Sequence, residues 1–133
     1  MQRQININRL KSGTKFIYMD KKNIFATLLT ISAANPEGFT VDAFKLNPIT
    51  KGYAVAFAET QDSFDDAGLE RVIKFAGEHA EVNAYGGWLN SENNKYYFDA
   101  VSVVQDLQTA YLLARRNKQI AFFDLEKLVE IRL

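Results

Sequence analysis

Apolar residues fall along this chain in two rhythms, and the change comes near residue 50. In the amino-terminal third they form short blocks rich in β-branched and aromatic residues, Lys15-Phe16-Ile17-Tyr18-Met19 and Ile24 to Ile31. The polar stretch Asp20-Lys21-Lys22-Asn23 between them has hairpin length. These blocks predict a β-hairpin region over residues 1–48. Asn35-Pro36-Glu37-Gly38 is a strong turn signal, Phe39-Thr40-Val41 predicts a third short strand, and Asn47-Pro48 marks the seam with the rest of the chain.

Beyond the seam the pattern is regular. Tyr53 to Ala58 is an apolar run of strand length. Ser63 then has the chemistry to cap a helix in which Leu69, Val72, Ile73, Ala76 and Ala80 recur at helical spacing. Ala84 to Leu89 and Tyr96 to Val104 read as strands around the polar loop Asn90 to Asn94, a hairpin. Asp106 caps a second helix with Leu107, Ala110, Tyr111 and Ala114 on one face. Ile120 to Phe123 adds a strand, and alternation from Leu128 to Leu133 predicts a last one. The expectation is α+β: a ferredoxin-like βαββαβ unit over residues 52–124 with an amino-terminal β-rich extension and a short carboxyl-terminal strand. The whole chain, 1–133, reads as one domain whose α+β core spans residues 49–133.

Composition narrows the chemistry. With 47% hydrophobic and 24% charged residues the chain can bury a core, which excludes wholesale disorder. No cysteine is present, so disulfides, thiolate metal sites and a cysteine nucleophile are excluded. No run approaches the roughly 18 apolar residues of a membrane helix, and the reading is a soluble cytoplasmic protein. Sixteen basic and sixteen acidic residues cancel, but unevenly. Residues 1–51 hold eight basic and three acidic residues, and residues 52–133 hold eight basic and thirteen acidic. The imbalance of +5 against −5 hints at an interaction surface in one half; mutual attraction of the two halves is the plainer explanation.

Several short runs carry a resemblance: Gly38-Phe39-Thr40-Val41, Gly52-Tyr53-Ala54-Val55-Ala56, Gly86-Gly87-Trp88, Tyr96-Tyr97-Phe98-Asp99 and Asn117 to Leu125. Together they resemble segments of uncharacterised proteins carried by phages and mobile elements of gut Bacteroides-type bacteria. The resemblance covers about residues 36–125 and implies that setting, in a bacterial host cell, without implying an activity.

Few residues carry candidate chemistry. His79, the single histidine, falls at the end of a helix, where it favours the dipole and reads as a surface residue rather than a base. Glu59, Asp62, Asp65 and Asp66 form the densest carboxylate cluster, the basis of an alternative as a metal-dependent enzyme. Their spacing departs from a calcium loop and helix amino ends attract aspartate unaided, so no metal and no cofactor is expected. Lys15, Lys21 and Lys22 interleave with Phe16 and Tyr18, which makes nucleic-acid binding by the basic hairpin a second alternative. The leading expectation is a non-enzymatic binding or interaction module with a protein partner. Strand alternation puts Tyr97 and Asp99 on one sheet face, near Trp88 of the paired strand and opposite the helices. Those three residues are the candidate contact. A homodimer through sheet surface is expected as well, because uncovered edges invite association.

Overall fold

The computed structural model describes residues 20–133, in which three helices pack on one seven-stranded antiparallel sheet. The elements are α1 (Lys21–Ala34), β1 (Phe39–Asp42), β2 (Tyr53–Ala56), a 3-10 turn (Ala58–Thr60), β3 (Ser63–Phe64), α2 (Asp65–Glu78), β4 (Ala84–Asn90), β5 (Lys95–Val104), α3 (Leu107–Arg116), β6 (Ala121–Asp124) and β7 (Val129–Arg132). Strand order is β1-β4-β5-β2-β6-β7, with β3 also paired to β5. The expected α+β class holds. No helix among the described residues is long and apolar enough to cross a membrane.

The amino-terminal hairpin is corrected. Ile24 to Ile31 lies inside α1, and the supposed turn Asp20-Lys21-Lys22-Asn23 is the helix start. The Asp20 carboxylate accepts the Asn23 amide at 2.9 Å, which satisfies an N–H that the first turn leaves without a carbonyl. Leu28 is fully buried, and Ile24, Phe25, Leu29 and Ile31 pack around it against the sheet and α2. These positions recur at helical, not alternating, spacing; eight apolar-rich residues leave the choice to tertiary packing. The strand expected at Lys15 to Met19 lies outside the described residues.

Strand β5 organises the sheet. On one edge it pairs with β4 over most of its length, from Lys95 opposite Asn90 to Val101 opposite Ala84. Its other edge is shared: β2 takes Val101 to Val104, and β3 takes Tyr97 and Phe98. Between them, Phe57 N–H donates to Ala100 O at 3.2 Å and the buried Thr60 hydroxyl accepts the Ala100 N–H at 3.2 Å. A side chain thus fills the gap in the backbone ladder.

All three helices cover one face. On β5, Phe98 and Ala100 meet α1 and α2 residues in the larger core cluster, and Val104 meets Ala110 and Ala114 of α3 in the smaller. Gly87 makes this face possible, since a Cβ there would meet the Phe39 and Tyr96 rings at 2.6 and 2.8 Å. Those rings stack at 6.2 Å over it, the aromatic filling expected where a strand carries glycine. The Tyr96 hydroxyl donates to Asn35 O at 2.6 Å, tying β5 to the end of α1.

A second correction concerns Ser63. It belongs to β3, not to a helix cap; Phe64 occupies the cap position of α2 and makes no side-chain capping bond. The Ser63 hydroxyl is buried without a hydrogen-bond partner, beneath the close approach of Gly68, where a Cβ would meet Ser63 C at 2.3 Å. Helix α2 also stops at Glu78 and so leaves Ala80 outside it. A capping serine loses about 1 kcal/mol on conversion to alanine. The observed geometry predicts the opposite for Ser63→Ala: no loss, or a gain of about 1 kcal/mol, because an unsatisfied buried hydroxyl disappears. Urea unfolding at constant m-value measures the difference, and a loss near the capping value contradicts this placement.

Candidate functional site

The face opposite the helices follows from strand alternation alone. Gly86 faces Asp99, Trp88 faces Tyr97, and Phe64 faces Tyr97 from the other side. Sequence reasoning grouped Trp88, Tyr97 and Asp99, and they do share this face. Trp88 is 45% exposed and stacks on Tyr97, with ring centroids 5.4 Å apart and planes at 20°. Tyr97 in turn meets Phe64 at 5.5 Å, and Lys95 Nζ lies 4.3 Å over the Phe64 ring. The Tyr97 hydroxyl accepts from Asn93 Nδ2 at 2.8 Å, which anchors it to the hairpin loop. The result is a row of three rings across β4, β5 and β3. Phe64 was missed by sequence reasoning, which placed it at a helix start; only the pairing of β3 with β5 reveals it.

Beside this row lies a groove of about 1030 Å³. Its floor is made of small residues, among them Thr40, Ala54, Ala56 and Gly86, and Trp88 stands at its rim. One wall is the segment Pro48-Ile49-Thr50. Asp42 builds that wall: its carboxylate accepts the amides of Phe44, Lys45 and Asn47 at 2.7–2.9 Å and folds the loop back along β1. Three carboxylates line the groove, those of Glu37, Asp99 and Glu130, and no lysine, arginine or histidine is among the described residues lining it. Glu37 and Glu130 carried no signal in the sequence, since they come from a turn and a distant strand.

Asp99 is the unusual member. It is partly buried, and no hydrogen-bond donor or cation among the described residues meets its carboxylate. The local hydrogen bonds that often tie down a strand-end aspartate are not made here. Burial pushes its carboxyl up from 3.8 to about 6, since the charged form loses water without gaining a partner. Gly86 opposite has no side chain to cover it, and an added Cβ there would make only ordinary contacts.

The other candidates are not gathered into sites. His79 ends α2, stacks on Phe75 at 3.8 Å and places Nδ1 2.9 Å from Phe75 O. It is a half-buried structural residue rather than the surface one expected. Among the described residues no group of three or more acidic or histidine side chains is close enough to hold a metal ion. The Asp65 carboxylate lies 3.4 Å from the Tyr96 N–H, and Asp66 sits in the first turn of α2. Lys21 and Lys22 lie exposed at the start of α1, not on a hairpin; Lys15, Phe16 and Tyr18 lie outside the described residues. Comparison of the chain with protein-family models, curated proteins and solved structures finds no match.

The Asp99 environment has a consequence for stability. Between pH 3.8 and about 6 the native carboxyl holds a proton that the unfolded chain has released. The native state then binds more protons, so stability falls as pH rises through this window and stays lower above it. Asp99→Asn removes the penalty. It is expected to stabilise the protein by about 1–3 kcal/mol near pH 8 and to leave it unchanged near pH 3.5. Urea unfolding at the two pH values reads this directly, and an equal effect at both contradicts it.

Proposed function

We propose that this chain is a non-enzymatic binding module whose open sheet face takes a basic segment of a protein partner, with Asp99 receiving a lysine or arginine and Trp88 and Tyr97 providing the flat contact. The observation that carries the reading is the Asp99 carboxylate, which no donor or cation among the described residues meets, in a groove that Glu37 and Glu130 also line, Glu130 being paired with Arg132. A guanidinium or ammonium supplies the missing donor, and a charge-assisted bond in a partly dry site is among the stronger polar contacts. Exposed tryptophan and tyrosine are the residue types that most often anchor partners. The carboxylates repel phosphates, so this face is ill suited to nucleic acid.

The ferredoxin-like reading of residues 52–124 belongs to the same proposal. It is supported by two split crossovers: β2-α2-β4 flanks β5, and β5-α3-β6 flanks β2, with α2 and α3 on one face. β1 and β7 then extend that unit at either edge. A role in a phage or mobile element rests on the resemblance alone.

Trp88 is the sole tryptophan, so its fluorescence reports on the site. A repeat peptide of alternating arginine and tyrosine is expected to shift its emission saturably, and the matched glutamate–tyrosine peptide is not. Binding strengthens as pH rises through about 6 because the carboxylate must be charged. Asp99→Asn and Tyr97→Ala each weaken it by roughly 10- to 100-fold, the worth of a charged hydrogen bond or an aromatic anchor. Equal binding of the two peptides, or indifference to Asp99→Asn, refutes the reading.

A further inference from the structure

The two edges of the sheet are finished differently. Beyond β1 the chain turns back on itself: Ile49 N–H donates to Thr40 O at 2.9 Å, and Pro48 bridges Val41. A proline-bearing loop covers that edge, a common way to prevent pairing. Beyond β7 no described segment lies, and the strand carries neither proline nor a bulge.

The register of β7 shows what its free edge offers. Val129 pairs with Asp124 and Ile131 with Phe122, and Leu133 N–H donates to Ile120 O at 3.0 Å. Antiparallel alternation therefore turns the backbone groups of Val129 and Ile131 toward β6, and those of Glu130 and Arg132 outward. Side chains alternate as well. Glu130, opposite Phe123, lies on the open face, as does Arg132, whose Nε is 3.5 Å from the Glu130 carboxylate. Val129 and Ile131 lie on the helix face; Val129 and Leu133 are 47% and 44% exposed.

We propose that β7 pairs antiparallel with β7 of a second copy about a two-fold axis at Ile131. Three registers let the outward backbone groups meet. Centring on Glu130 sets two glutamates face to face, and centring on Arg132 sets two arginines face to face. Centring on Ile131 sets Glu130 against Arg132 of the partner subunit, twice, with both backbone bonds exchanged at each pair. The same register sets Val129 against Leu133 of the partner subunit and Ile131 against its own equivalent, covering apolar surface now exposed on the helix face. Self-complementarity of this kind is what a two-fold interface requires. The pairing joins two sheets edge to edge and aligns their open faces, and it stands whether or not the groove binds a basic segment.

A four-residue edge is small, so the dimer is reversible, with a Kd on the order of 100 µM. Sedimentation velocity of the full chain from about 5 µM to about 1 mM is expected to show the conversion. Glu130→Arg alone and Arg132→Glu alone each set like charges opposite and weaken dimerisation by roughly tenfold or more. The double variant E130R/R132E restores it to within about threefold, and an equimolar mixture of the two single variants forms the mixed dimer. All these side chains are exposed, so unchanged circular dichroism checks the fold. A chain monomeric throughout, or a dimer indifferent to the single reversals, overturns the proposal.

Discussion

Strand β5 is ten residues long, and both of its edges must find hydrogen-bond partners if its buried centre is to be stable. β4 serves one edge. No single strand serves the other, and the chain divides the task between β2 and β3, with Phe57 and Thr60 bridging Ala100 where neither reaches. Much else depends on this arrangement. The 3-10 turn brings Thr60 under β5. Arg71 steadies it by donating to the Glu59 and Gln61 carbonyls. Helix α2 starts directly from β3, and Gly68 lets it lie against Ser63.

The same division shapes the open face. Because β3 begins only at Ser63, Phe64 stands beside Tyr97 and completes the aromatic row, while Asp99 has no β3 partner and faces Gly86 on β4. Glycine on β4 deepens the asymmetry: Gly87 yields its space to rings on the helix side, and Gly86 yields its space to the groove. A partly buried carboxylate with no partner among the described residues is costly to charge. Groups shifted in this way cluster at functional sites.

The two edges of the sheet also differ in what covers them. The Asp42 loop closes the β1 edge. The β7 edge, where opposite charges stand two residues apart, is left with groups that complement themselves.

Local rules were enough for most of residues 52–133. Period-two alternation marked the strands and put Tyr97 and Asp99 on one face, helical spacing marked α2 and α3, and Asp106 announced its helix by capping Thr109 N–H at 2.9 Å. Those signals are written in adjacent residues, so one sequence carries them whole. α1 was hidden, because an apolar run of eight suits strand or helix equally, and its choice is made by packing on α2 and the sheet. Ser63 was misplaced because the two-residue strand that holds it exists only through β5. Glu37 and Glu130 came to the groove from opposite ends of the described chain. Strand order, shared edges and the convergence of distant carboxylates are properties of contacts between residues far apart in sequence, and only the tertiary structure decides them.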